Sequence, residues 1–331
     1  CFNICEGDWA TVVLFALNTN AVVINTTTKL WLYFLFIDII AQKQVWSKVF
    51  AMSNKRSSTL IVLSAVCVFG CTRAQIPEPV TQKQADTKPD AVAKIKNAGR
   101  VIHVLVALCD NENQGIVPVP AHLGNGEDTQ GNLYWGAGFG VKAFFSKSKN
   151  WQKLGEFQNP KPNVLERIVF KHRAENVYLV ADAYRGIKMK ETINDFLSSA
   201  SGNQLENIQL TDLQLQIMGS ADLIAFVGHN GLMDFKLEST PRKHDDEKRD
   251  AIILACASWN YFSKHLKDTG AEPLLWTTNL MAPEAYTLHD AIEGWIKNEG
   301  PQQVRVRAAA AYAKYQKISQ RSALNLLVTG W

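Results

Sequence analysis

The sequence predicts an α/β fold of three layers, a mostly parallel sheet with helices on both faces. Three observations predict it. Short continuous apolar runs recur at 101–108, 176–181, 222–228, 250–255 and 273–277, the signature of strands buried on both sides. Amphipathic patterns stand between most of them, as βαβ units with right-handed crossovers require. Charged residues or glycine bound the runs, so each reads as a separate element.

In chain order, residues 101–108 (Val-Ile-His-Val-Leu-Val-Ala-Leu) form the first strand. The stretch 110–135 is dense in Asn, Gly and Pro and reads as a long loop, a length usually reserved for function. A helix is expected over 136–146, with Val141, Phe144 and Phe145 facing inward. Next come a strand over 176–181 and an amphipathic helix over 188–200 with Ile193, Phe196 and Leu197 apolar. The runs 222–228 and 250–255 are the third and fourth strands, separated by a strand or hairpin at 232–237 and a charged segment at 242–249. A short helix (261–267), a fifth strand (273–277), a helix (283–298) and a long Ala-rich helix (302–322) complete the domain.

The folded part is expected over 99–331, and what precedes it reads differently. The first methionine is Met52, so residues 1–51 are expected to be upstream translation. Residues 52–74 combine a basic start, a short apolar run and small residues, the layout of a secretory signal too short to span a membrane. Two processing outcomes stay open. Val68-Phe69-Gly70-Cys71 resembles a bacterial lipobox, which would leave Cys71 lipidated and the protein attached to a membrane; a cut after Ala74 would release it. The expected location is therefore the periplasm, an outer-membrane anchor, or the medium. Residues 75–98 are polar and aperiodic and read as a flexible linker.

From Gln75 onward 29 Lys and Arg face 28 Asp and Glu, a balance that argues against a nucleic-acid partner. Two cysteines in that stretch, Cys109 and Cys256, do not make a disulfide scaffold. His122, His244, His265 and His289 lack metal-ligand spacing, so neither metal nor other cofactor is expected. Gly136-Ala137-Gly138-Phe139-Gly140 follows a loop rather than a strand and lacks phosphate-loop spacing.

Chemistry concentrates where two strands end. One run leads into His229-Asn230-Gly231 and another into Cys256-Ala257-Ser258. In parallel sheets, reacting groups gather beyond the carboxyl ends of the strands, so a thiol and an imidazole are delivered to one edge. An imidazole activates a thiol nucleophile by taking its proton. Backbone N–H groups near Gly231 and Cys256 are candidates to hold an oxyanion. Asp110, Asn111, Asp182 and Arg185 follow other strand ends and are substrate-binding candidates, as is Tyr184; loop capping is the alternative for each. Cys109 reads as a packed core thiol.

The blocks Phe226-Val227-Gly228-His229-Asn230-Gly231 and Leu254-Ala255-Cys256 resemble the His and Cys blocks of the clan CD cysteine peptidases (caspases, metacaspases, gingipains, legumain, separase). The resemblance implies a caspase-haemoglobinase fold over roughly 101–278 and a His229–Cys256 dyad cleaving peptide or protein substrates. Here Asn230 separates the histidine from the glycine, and Cys256 lies 27 positions after His229. Two alternatives remain open: an inactive binding module of the same fold in the cell envelope, and a cysteine hydrolase or transferase of non-peptide acyl groups.

Overall fold

A computed structural model describes residues 92–331; residues 1–51, the signal-like segment with Cys71, and the linker through residue 91 lie outside the described residues. Five strands run parallel: β1 (Arg100–Ala107), β4 (Val177–Tyr184), β7 (Leu223–Val227), β8 (Asp250–Leu254) and β9 (Glu272–Thr277). They are joined by an antiparallel pair, β2 (Trp151–Lys161) and β3 (Val164–His172), on one side and by β10 (Leu327–Val328) on the other. The sheet order is β10-β9-β8-β7-β1-β4-β3-β2. A second sheet pairs β5 (Leu205–Gln209) with β6 (Gln214–Met218).

The pleat explains the layers. On β1, Ile102, Val104 and Val106 join one apolar cluster while Val101, Leu105 and Ala107 join another. The first cluster takes in α1 (Val141–Lys147), α4 (Ala285–Ile296) and α5 (Pro301–Gln316); the second takes in α2 (Met189–Ala200) and α3 (Ser258–Thr269). Helices therefore cover both faces. On the second face Phe196, Phe226 and Phe262 meet edge-on or tilted at 5.7–6.2 Å between ring centres.

Several boundaries differ from expectation. The strand expected over 176–181 continues as β4 to Tyr184, so Asp182 sits inside it, opposite Leu105 and Arg167. Residues 136–140 do not continue α1: Gly136 and Gly140 lie so close to the carbonyls of Thr129, Gln130 and Trp135 that a side chain would collide there. The stretch expected as one helix over 302–322 breaks at Lys317, whose left-handed φ of 55° ends α5. Ser319 then caps α6 (Gln320–Leu326) through the Ser322 N–H.

The strand expected at 232–237 is absent, replaced by a 3-10 turn at Gly231–Met233. Its cause is local. Asn230 Oδ1 accepts the Leu232 N–H, and the Gly231 carbonyl accepts those of Asp234 and Phe235, so the amides that a strand would offer to a neighbour are turned inward. Residues 92–98, the end of the linker, run beside β6. There Asn97 bonds both the N–H and the C=O of Gln216, at 2.7 and 2.9 Å.

Candidate functional site

The parallel strands reverse their order around β1, with β4 on one side and β7 on the other. That reversal is the switch point at which open α/β sheets bind ligands. Cys109 leaves β1, His229 leaves β7 and Cys256 leaves β8, all at the carboxyl edge. Register pairs Val227 with Leu254, and two residues further along each chain stand His229 and Cys256. Neighbouring strands lie about 4.8 Å apart, so the pair begins from adjacent backbones.

Local interactions hold these ends together. Gly228 N–H still donates to the Leu254 carbonyl at 3.2 Å, with a φ of 152° that favours glycine. Beyond it, Asn230 Nδ2 donates to the Cys256 carbonyl at 2.6 Å, so the residue between His229 and Gly231 straps the two strand ends. Among the described residues, no hydrogen bond engages the Cys256 N–H.

Cys256 is partly exposed. Its thiol meets the Met281 peptide, accepting from N–H at 3.4 Å and donating to C=O at 3.5 Å. The next residue, Ala257, takes φ 47° and ψ 35°, a left-handed conformation costly for an alanine, and serves as N-cap of α3. Cys256 thus occupies a tight strand-to-helix turn, one residue before the positive end of a helix dipole. Backbone strain of this kind gathers at functional sites.

His229 is nearly buried, and its Nε2 lies 2.6 Å from Asp234 Oδ2. The same carboxylate oxygen accepts the Gly115 N–H from the long loop at 3.2 Å. No hydrogen bond joins Cys256 Sγ to His229 among the described residues; each group has another partner. Asp234 escaped the sequence reading because a strand over 232–237 would carry it about 16 Å from His229, whereas the 3-10 turn folds it back.

The remaining candidates are placed apart from the thiol or held by internal partners. Gly231 donates its N–H to the His229 carbonyl at 3.1 Å, and an added Cβ would lie 2.5 Å from Met189 Cγ, so glycine is needed here for packing. The amide expected to hold an oxyanion thus donates within its own turn. Asp182 is fully buried and not at a strand end. It takes two bonds from Arg167, at 2.6 and 2.7 Å, and one contact from His103 at 3.2 Å. Burial opposes its charge, but the guanidinium outweighs burial and holds the carboxyl well below the usual range.

Asp110 is buried and caps its own loop through the amides of Glu112 and Asn113. Asn111 bonds Val119 through both ends of its amide. Arg185 joins Glu127 and the Pro162 carbonyl, while Tyr184 bonds Asp195 at 2.7 Å. Asp110, Asn111, Glu112 and Glu127 line a cavity of about 440 Å³ whose walls include neither His229 nor Cys256.

Cys109 is fully buried, and burial pushes its thiol up to about 11. With β7 between β1 and β8, the two cysteines end non-adjacent strands, and both are free. Asn132 closes the long loop over this edge, bonding the N–H and C=O of Cys109 and the Asn125 carbonyl. Met233, Trp259 and Leu280, each within four residues of His229, Cys256 or Met281 along the chain, are large apolar side chains that remain exposed. Among the described residues there is no cluster of three metal-ligating side chains, and no helix is long and apolar enough to cross a membrane.

No family model, curated protein or solved structure matches this chain.

Proposed function

We propose that the protein is a cysteine hydrolase cleaving peptide bonds through Cys256 and His229, with a fold of the caspase-haemoglobinase type. The observation that carries the reading is that a partly exposed thiol on a strained turn and an imidazole oriented by a carboxylate leave adjacent parallel strands at the same sheet edge, beside the switch point. The strand order, with β1 flanked by β4 and β7, supports the fold assignment.

In the reaction, Cys256 turns from the Met281 peptide toward His229, a rearrangement in keeping with catalytic contacts that tighten only with substrate bound. His229 takes the thiol proton, and the thiolate attacks the scissile carbonyl. The oxyanion forms opposite the Cys256 N–H and the start of α3. The C–N bond then breaks as the imidazolium protonates the departing amine. Water, deprotonated by His229, opens the thioester and returns the thiol. The exposed Met233, Trp259 and Leu280 offer an apolar rim for substrate side chains. The signal-like segment supports action in the cell envelope or beyond, with Cys71 as a lipid attachment point or part of a removed leader.

The test is alkylation followed by a substrate panel. Iodoacetamide near neutral pH is expected to modify Cys256 and leave Cys109 untouched, and His229→Ala is expected to slow the reaction. Hydrolysis of peptides in a mixed library is expected to vanish in Cys256→Ala and His229→Ala. Peptidase activity surviving in either variant refutes the assignment. Ester or thioester turnover without peptide cleavage would move the substrate to a non-peptide acyl group.

A further inference from the structure

The structure assigns Asp234 as the positioning residue of His229, fixing the Nε2-protonated tautomer and leaving Nδ1 as the nitrogen that takes the Cys256 proton. The inference rests on the proposed dyad and adds a group that the sequence did not single out.

The argument begins with the acceptor. An ionised carboxylate only accepts, so the 2.6 Å contact to Asp234 Oδ2 is an Nε2–H donation. The proton on Nε2 leaves the neutral ring its lone pair on Nδ1. Nδ1 makes no hydrogen bond among the described residues, and it is not among the buried polar atoms lacking a partner. Among the described residues nothing else claims that lone pair, as a base awaiting a substrate or a thiol requires.

Asp234 is itself held. It ends the 3-10 turn that Asn230 caps, and Gly115 N–H donates to its Oδ2. A Cβ on Gly115 would sit 2.4 Å from Asp234 Oδ1, so the long loop presses its backbone directly onto the carboxylate. Asn230 bonds the Cys256 carbonyl, and one short segment thus ties loop, base and nucleophile together. A carboxylate that orients an imidazole also stabilises the imidazolium formed during catalysis.

The experiment uses the full chain with ¹⁵N-labelled histidine, the His229 signals being identified by their loss in His229→Gln. Wild type is expected to show the Nε2–H tautomer of the neutral ring. Asp234→Asn is expected to shift His229 toward the Nδ1–H form and to slow Cys256 alkylation near neutral pH by about tenfold or more, with an unchanged thermal midpoint. Asp234→Glu is expected to restore part of both readouts. An unaltered tautomer and alkylation rate in Asp234→Asn, alongside a slow His229→Gln, overturns the Asp234 assignment alone. A wild-type alkylation rate in His229→Gln overturns the dyad and the role of Nδ1 with it.

Discussion

Asp182 and Arg167 show how a charge comes to sit inside the sheet. Both are buried, and the guanidinium also reaches Glu206, so the carboxylate is neutralised on the spot. Removing one partner of such a pair leaves an uncompensated buried ion, whereas replacing both with apolar groups is often tolerated. Arg167→Ala is expected to cost about 3–5 kcal/mol in urea unfolding, and Arg167→Met with Asp182→Leu to recover most of it. An effect below about 1 kcal/mol in the single variant would show that the pair is solvated in solution. The pH dependence follows. The folded carboxyl titrates below its unfolded value, so its contribution is complete above the ordinary carboxylate range near pH 4 and disappears as pH falls below it. Wild type should lose stability there more steeply than the double variant.

At the scale of elements, the Cys256 turn is the informative one. Ala257 holds a left-handed φ where glycine would be relaxed. Ala257→Gly removes about 1–2 kcal/mol of backbone strain but adds unfolded-state freedom worth about 0.5–1. A net gain of about 0.5–1 kcal/mol in thermal or urea unfolding is expected. Lys317, at φ 55° on the end of α5, is the control: Lys317→Gly should stabilise similarly without altering Cys256 alkylation. Equal stability of wild type and Ala257→Gly would mean that the turn carries no strain.

For the whole molecule, the two-stranded β5–β6 sheet is completed by chain from outside the regular elements. Asn97 imitates a strand neighbour for β6, satisfying both backbone groups of Gln216, which is itself fully buried. Asn97→Ala is expected to destabilise by about 1–3 kcal/mol, because it strips partners from a buried N–H and C=O. Unfolding of a chain beginning at Gly99 should show a comparable loss; no change in either would mean that water replaces Asn97.

The sequence by itself determined the parallel strands and the two reactive ends, because apolar runs such as 223–227 and 250–254 record burial directly in residue type. It was silent on the β2–β3 and β5–β6 hairpins, whose polar alternation is diluted by Gly155, Pro160 and several glutamines. Only the tertiary structure decided the partners: that Asp234 turns back to His229, that Asp182 meets Arg167 across the sheet, and that the Gly231 amide is occupied. Burial is a property that each residue carries locally. Orientation depends on which distant backbone closes against it, and that is settled only when the chain has folded.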